Sequence, residues 1–124
     1  MSNVTQQREE IPRAAWHDAL ELITKEHEGD EVTIELVVES LGDQEEAVKL
    51  PLNYLEYDRK DDVVVVALGG HSTRFPVVLR HMIRHPQAIW VHPPAPATIR
   101  ALLVSDAEGV ETLVRLHRRP ELPG

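Results

Sequence analysis

The residues best suited to chemistry in this chain are histidines and arginines gathered in one segment. No aspartate or glutamate occurs from Val63 to Ser105, and that segment holds four arginines and four histidines: Arg74, Arg80, Arg84, Arg100, His71, His81, His85 and His92. Guanidinium groups bind phosphate and carboxylate through paired hydrogen bonds, and imidazoles add positive charge as the pH falls below about 6.5. The pattern indicates a surface that can bind a small anion or an acidic partner.

His81 and His85 are spaced so that they could share a metal ion if they lie on a helix. Residues four apart share a helix face, and a third ligand such as His71 or His92 would complete a zinc site. On a strand the two side chains would stand about 13 Å apart, too far for one ion. A metal-dependent hydrolase with a site around these histidines is therefore a second alternative, and it requires residues 80–86 to be helical.

Motifs that identify an enzyme are missing from the sequence. It contains no phosphate-binding loop, dinucleotide fingerprint, nucleophile elbow or His-Glu-x-x-His motif. His71 and Ser72 are neighbours, but on a strand they would point to opposite faces, which separates a nucleophile from its base. There is no cysteine, which excludes a disulfide scaffold and a thiolate metal site. We therefore expect no catalytic residue and no cofactor.

Charge is distributed unevenly along the chain. Residues 1–62 carry 17 acidic and 6 basic side chains, whereas residues 63–124 carry 4 acidic and 7 basic ones. The overall net charge of −8 argues against non-specific nucleic-acid binding. Three interpretations of the basic segment stay open: it pairs with the acidic half of its own fold, it contacts the acidic face of another protein or another copy, or it binds a small anion.

The order of the predicted elements indicates an α+β fold. Between Pro12 and about Glu28, residues recur at helical spacing and form one stripe: Trp16, Leu20, Ile23 and His27. After Gly29 the period changes to two, and about six strands follow at short spacing. We predict an N-terminal helix packed on a curved antiparallel sheet or partial barrel of about six strands. Residues 80–86 fit either a helix or a strand.

The 124 residues are enough for one domain with one core. We expect a flexible arm over residues 1–10, a single domain over 11–118 and a tail over 119–124. No apolar run approaches the length of a membrane span, and the first residues lack the apolar centre of a signal peptide, so a cytoplasmic protein is expected.

Short motifs spread over residues 8–118 carry a family resemblance. They are Ile11-Pro12-Arg13-x-x-Trp16, Glu26-His27-Glu28-Gly29, Leu50-Pro51-Leu52, Lys60-Asp61-Asp62, Gly70-His71, His81-x-Ile83-x-x-Pro86-x-x-Ile89 and Glu111-Thr112-Leu113-Val114-Arg115-Leu116. With these motifs the chain resembles a family of bacterial proteins known only as a domain of unknown function. The resemblance implies an extended segment around His81 and carries no activity. The chain departs from the family pattern at Pro93–Pro96.

Together these observations favour a small, non-catalytic interaction or accessory module. We expect its partner to be another protein or a second copy, bound through an exposed strand edge or through Trp90 if that side chain points outward. The alternative is a binding domain for a small anionic ligand. The candidate ligand or interface residues are Arg74, Arg80, His81, Arg84, His85, Trp90 and His92.

Overall fold

The structure, a computed structural model, describes residues 7–38, 42–70 and 77–118. One α-helix and eight strands make up this part of the chain, with a short 3-10 turn over Arg13–Ala15 before the helix. The elements are β1 (Glu9–Ile11), α1 (Trp16–His27), β2 (Glu31–Val38), β3 (Gly42–Asp58), β4 (Val63–Leu68), β5 (Leu79–Arg84), β6 (Pro86–His92), β7 (Ala101–Asp106) and β8 (Glu111–His117).

The strands form one antiparallel sheet in the order β1-β6-β7-β8-β2-β3-β4-β5. Two meanders, β2 to β5 and β6 to β8, are joined where β2 pairs with β8, and β1 adds to the outer edge of β6. The α+β prediction with an antiparallel sheet is confirmed, but the number of strands is eight, not six. Residues 9 and 10, expected in the flexible arm, pair with Val91 and Trp90. The sequence does not predict this strand, because the three residues of β1 are too few to show a periodic pattern.

Strand β5 resolves the ambiguity over residues 80–86. All six of its residues pair with β4, and its side chains alternate between the interior and solvent. Leu79, His81 and Ile83 lie on the more buried face, and the residues between them are exposed. The segment is extended, as the family resemblance implies, so the helix that a metal site at His81 and His85 requires is absent. Within the three described ranges, no group of three side chains is placed to hold a metal ion.

Helix α1 lies against β3 through the predicted stripe. Trp16, Leu20 and Ile23 are buried in the main core with side chains from every strand except β1. The Trp16 ring meets the Tyr57 ring edge-on at 5.1 Å, and its Nε1 donates a hydrogen bond to the Ile11 carbonyl at 2.9 Å. Gly29, with a φ of 91°, turns the chain in the left-handed region just after the helix. No helix in the described ranges is long and apolar enough to cross a membrane.

Strand β3 has 17 residues because it changes partners along its length. Its first half pairs with β2 and its second half with β4, and the pairing with β4 shifts between Leu52 and Tyr54. Asn53 lies at that shift, and its Nδ2 donates to the Gly69 carbonyl at 3.0 Å. This bulge, two residues after Pro51, lets one strand serve both parts of the sheet.

The chain passes from β5 to β6 through a single residue, His85. β5 is one edge of the sheet, whereas β6 lies next to the other edge, so this link holds the two ends of the sheet together. His85 has a φ of 54°, and its N–H donates to the Asp62 carbonyl at 2.9 Å. Its own carbonyl accepts from Ala107 N–H at 3.1 Å. One residue therefore ties β6 to the turn before β4 and to the turn after β7.

Gly69 allows a test of how closely the end of β4 approaches Val78. Its φ is +106°, and a Cβ added there would lie 2.7 Å from the backbone nitrogen of Val78 and 2.5 Å from its side chain. Gly69→Ala should therefore lower the free energy of unfolding by about 2–3 kcal/mol, measured by urea denaturation. Gly109→Ala is the matched control, since it has a φ of +84° with nothing within 4 Å, and it should cost about 1 kcal/mol. Equal losses at both positions would contradict the close approach of Val78.

Candidate ligand-binding site

A cavity of about 940 Å³ opens beside Gln7 where three further segments meet. One segment is the end of α1 with the link to β2, another is the connection from β6 to β7, and the last is the end of β8. The lining residues are Gln7, Glu26, His27, Asp30, His92, Pro93, Ala97, Thr98, Ile99, Arg100, Leu116, His117 and Arg118. This volume suits a small-molecule ligand.

Backbone hydrogen bonds hold the walls of the cavity. Asp30 N–H donates to the His27 carbonyl at 2.9 Å, and the Asp30 carbonyl accepts from Leu52 N–H at 2.8 Å, which ties this wall to β3. On the side of the β6–β7 connection and β8, Arg100 N–H donates to the His92 carbonyl at 2.7 Å, and the Arg100 carbonyl accepts from Leu116 N–H at 2.8 Å. Both walls are therefore anchored to the sheet before any ligand binds.

His27 and Asp30 form a hydrogen-bonded pair in the first wall. The imidazole is 6% exposed, and its Nδ1 lies 2.9 Å from Asp30 Oδ2. Because an ionised carboxylate only accepts, Nδ1 is the donor. Nε2 of His27 is buried and has no hydrogen-bond partner among the residues that the structure describes. Such an atom calls for an explanation, and an unfilled ligand contact is one.

Two further histidines line the cavity with one ring nitrogen already in use. Nδ1 of His92 contacts the Gln7 carbonyl and must donate to it, which leaves its Nε2 as the second polar atom. Nε2 of His117 lies 3.1 Å from the Thr33 hydroxyl. These contacts fix the ring orientations, so each imidazole keeps one nitrogen for other partners.

Two arginines complete the basic side of the cavity. Arg100 and Arg118 are exposed, and no carboxylate of the described residues forms an ion pair with either guanidinium. Glu26, which lines the cavity from α1, likewise has no ion-pair partner within the described ranges. The cavity therefore carries positive and negative groups that do not neutralise one another by direct contact.

Of the residues predicted as ligand or interface candidates, the cavity contains only His92. Arg80, Met82 and Arg84 alternate along the exposed face of β5, and Arg80 Nε donates to the Tyr54 hydroxyl at 3.1 Å. His81 is half-buried on the opposite face of that strand. Arg74 lies outside the described residues. Of the anion-binding surface predicted on Arg74, Arg80, His81 and Arg84, the three described residues Arg80, His81 and Arg84 do not line the cavity.

Trp90 lies on the outer face of the sheet, opposite the main core. Ile89 and Val91 point into that core, whereas Trp90 packs against a smaller cluster of Ala101, Leu103 and Leu113. The Arg8 guanidinium lies over the ring at 4.1 Å from its centroid. Of the two positions considered for Trp90, the outward one is observed, with the ring partly covered by its own chain.

His85 belongs to a second polar cluster, centred on Asp62. Tyr57 OH donates to Asp62 Oδ1 at 2.7 Å, and Nδ1 of His85 lies 3.3 Å from Asp62 Oδ2. Arg13 approaches the same carboxylate at 3.8 Å, donates to the Pro86 carbonyl at 3.1 Å and stacks on Trp16 at 4.3 Å. The cluster joins the segment before α1 to the turn before β4 and to the link after β5.

The same contacts shift two pKa values. The hydrogen bond from Tyr57, then that of His85 and the charge of Arg13, hold the pKa of Asp62 below its ordinary value despite partial burial. The hydrogen bond to Asp62, followed by burial, raises the pKa of Tyr57. The cluster is therefore set to keep an ionised aspartate beside a neutral tyrosine.

Most of the cavity residues are not marked as site residues by any pattern in the sequence. His27 entered the prediction only as part of the apolar helix stripe, and Asp30, three residues later, was the available sign of a side-chain pair. Arg100 lies in the acid-free segment, but it is not among the predicted ligand or interface residues. Glu26, His117 and Arg118 carry no local signal, because the cavity brings together segments far apart in the sequence.

Comparisons with known proteins agree with the resemblance noted above. A model of a family of unknown function (DUF5335) matches residues 7–124. The chain is 32% identical over 113 residues to an uncharacterized protein of Aquifex aeolicus (strain VF5), and the match covers 91% of this chain and 93% of that protein. No solved structure matches. The resemblance to a family of unknown function is confirmed, and the comparisons carry no activity over to this chain.

Asp62 gives a prediction of pH dependence. Because its pKa is lowered in the folded state, its contribution to stability is complete above about pH 4 and is lost as the pH falls further. Asp62→Asn should cost about 1 kcal/mol near neutral pH, since the site is partly exposed, and less toward about pH 3. Asparagine tolerates the positive φ, so the backbone is kept. Urea denaturation across this pH range measures the difference.

The exposed neighbour provides the control for this prediction. Asp61→Asn should change stability by a few tenths of a kcal/mol and show no comparable trend with pH. A cost of Asp62→Asn that stays constant down to about pH 3 would contradict the charged role of the carboxylate.

Proposed function

We propose that this chain, which belongs to the family of unknown function named above, is a non-catalytic binding module for a small anionic ligand. The ligand lies in the cavity between the end of α1, the β6–β7 connection and the end of β8. The observation that carries the proposal is the pair of exposed arginines, Arg100 and Arg118, lining one cavity without a carboxylate partner in the described ranges. We also propose that the sheet curves around α1, because a link of one residue, His85, connects β5 at one edge of the sheet to β6 next to the other edge.

The chemistry of the basic wall favours a phosphate or a carboxylate. Guanidinium groups present parallel N–H donors that match the oxygen spacing of these anions. Nε2 of His92 and Nδ1 of His117 are the ring nitrogens left available for contact with the anion. The polar lining gives orientation, and Ile99 and Leu116 supply apolar contact.

Binding of inorganic phosphate or succinate to the intact protein tests this proposal. At a concentration 100-fold above its dissociation constant, a ligand stabilises by about 2.7 kcal/mol, which gives a thermal shift of several degrees. Arg100→Ala should weaken binding about tenfold, because a charge-assisted contact is lost. Isothermal titration calorimetry measures the affinity directly.

Two other arginines serve as controls for the position of the site. Arg59→Ala removes an exposed arginine in the β3–β4 turn and should leave the affinity unchanged. Arg84→Ala removes one from the surface predicted on β5. If Arg84→Ala abolishes binding and Arg100→Ala does not, the cavity is the wrong site. If neither anion binds at any pH, a small-anion function is excluded.

A second candidate function is contact with another copy through the β5 edge. β5 is the last strand of the sheet. Met82 within it is 42% exposed, and Val78 just before it is 73% exposed. Arg80 and Arg84 flank Met82, so two β5 strands paired together would bring like charges opposite each other. The acidic half of a second copy is the complementary surface, and that contact would weaken with salt.

Light scattering at increasing ionic strength tests the homodimer. We expect a dimer at about 0.05 M salt that dissociates toward about 0.5 M, because screening weakens contacts between exposed charges. Met82→Glu should shift the equilibrium to the monomer at low salt. Leu22→Glu, which replaces an apolar residue that is 57% exposed on α1, is the control and should not. A monomer under all these conditions, or a dimer that strengthens with salt, contradicts this candidate.

A further inference from the structure

The strand at the end of the sheet has a row of backbone groups that its neighbour does not bind. β5 pairs with β4 along its whole length, and no strand of the described ranges pairs with its other side. His85 N–H donates to the Asp62 carbonyl, and the ladder hydrogen bonds of an antiparallel pair involve every second residue. The alternate residues of β5 therefore direct their N–H and C=O groups away from β4, and they are Arg80, Met82 and Arg84.

The side chains of the same three residues are exposed. Met82 lies between the two arginines, and Val78 just before the strand is one of the most exposed apolar residues in the described ranges. No ion pair among the described residues includes Arg80 or Arg84. The bond from Arg80 Nε to the Tyr54 hydroxyl orients that guanidinium and leaves its terminal N–H groups for an acceptor. The free edge thus presents a basic, an apolar and a basic side chain in one row.

This charge pattern selects the kind of strand that can pair with the edge. In an antiparallel pair of two β5 strands centred on Met82, Arg80 of one copy would lie opposite Arg84 of the other, and like charges in that position are destabilising. An extended segment with an acidic, an apolar and an acidic residue at alternate positions would instead form two opposite-charge pairs. Its apolar side chain would contact Met82. The edge therefore resists pairing with itself and suits an acidic strand.

We propose that β5 binds an extended acidic segment of another protein as an added antiparallel strand. This interaction goes beyond the small-anion site, since Arg80 and Arg84 do not line the cavity. Main-chain hydrogen bonds to Met82 and its neighbours supply affinity, and the alternating side chains supply specificity. The His85 carbonyl already accepts from Ala107 N–H, which closes one end of the edge, so the added strand begins opposite Arg84.

A synthetic peptide with blocked ends, Thr-Glu-Thr-Val-Thr-Glu-Thr, tests the charge pattern. Its two glutamates and its valine share one face of a strand. We expect it to bind the intact protein in fluorescence anisotropy. The isomer Thr-Glu-Thr-Val-Glu-Thr-Thr has the same composition, but its glutamates lie on opposite faces. The isomer should bind about threefold more weakly or less, because one of the two charge pairs is lost.

Methylation of single peptide nitrogens separates strand addition from simple attraction between charges. In the added strand, the valine N–H donates to the Met82 carbonyl, whereas the N–H of the next threonine faces solvent. Methylation of the valine nitrogen should weaken binding about tenfold, and methylation of the threonine nitrogen about twofold at most. In NMR, the bound peptide should slow exchange of the Met82 amide with water. The amide of Ile83, which already faces β4, should keep its exchange rate.

Substitutions in the protein then locate the contact. Arg84→Gln should weaken binding of the peptide about threefold, because one cross-strand charge pair is lost. Arg59→Gln is the matched control, since it removes the same charge from the exposed β3–β4 turn, and it should leave the affinity unchanged. Arg100→Ala should also leave it unchanged, because that residue belongs to the cavity.

Each contrary outcome identifies what fails. If the peptide does not bind, or if both methylated peptides bind equally well, the added strand is wrong, and the small-anion site is still decided by phosphate and succinate. If Arg100→Ala weakens peptide binding and Arg84→Gln does not, the peptide carboxylates occupy the cavity and the edge is the wrong site. If light scattering finds a dimer that the peptide does not dissociate, the edge belongs to a second copy and the proposed partner is wrong.

Discussion

The constraint on which this fold depends is the one-residue link between β5 and β6. An eight-stranded antiparallel sheet has two free ends, and here His85 connects the strand at one end to a strand next to the other. Asp62 secures that link twice, through its carbonyl and its carboxylate, and both residues adopt a positive φ that non-glycine residues rarely hold. The strained pair persists because Tyr57 and Arg13 hold the same carboxylate.

Fixing one end of β6 also places its other end. The strand runs from the Asp62 cluster to His92, where its pairing with β7 ends and the cavity begins. The same end of the sheet receives the last turn of α1, because Trp16, Leu20 and Ile23 pack the helix along β3 and Gly29 turns the chain into β2. The structural cluster and the cavity thus occupy opposite ends of one strand, which allows the first to be rigid while the second stays open to a ligand.

The sequence predicted the elements that have a strong period and missed those that do not. The helix stripe ending at His27 follows from spacing alone, because it buries one regular face. β1 has three residues and no period to detect. β5 alternates arginine, histidine and apolar residues, and only its pairing with β4 distinguishes a strand from a helix turn. For the site, composition indicated arginine and histidine chemistry, but strand parity directs Arg80 and Arg84 outward, and the cavity takes its charges from three distant segments.

The uneven charge of the chain is only partly neutralised within the fold. Arg115 pairs with Glu35 at 3.2 Å across β8 and β2, and His85 meets Asp62, so the acidic and basic halves do contact each other. Arg100 and Arg118 take no part in such pairs among the described residues. A direct bridge between two exposed, flexible side chains would contribute at most about 1 kcal/mol, because solvent screens the attraction and the pairing orders both chains. A ligand that excludes water between the walls strengthens each charge interaction. Arg100 and Arg118 therefore have more to gain from a bound anion than from an exposed carboxylate of their own chain.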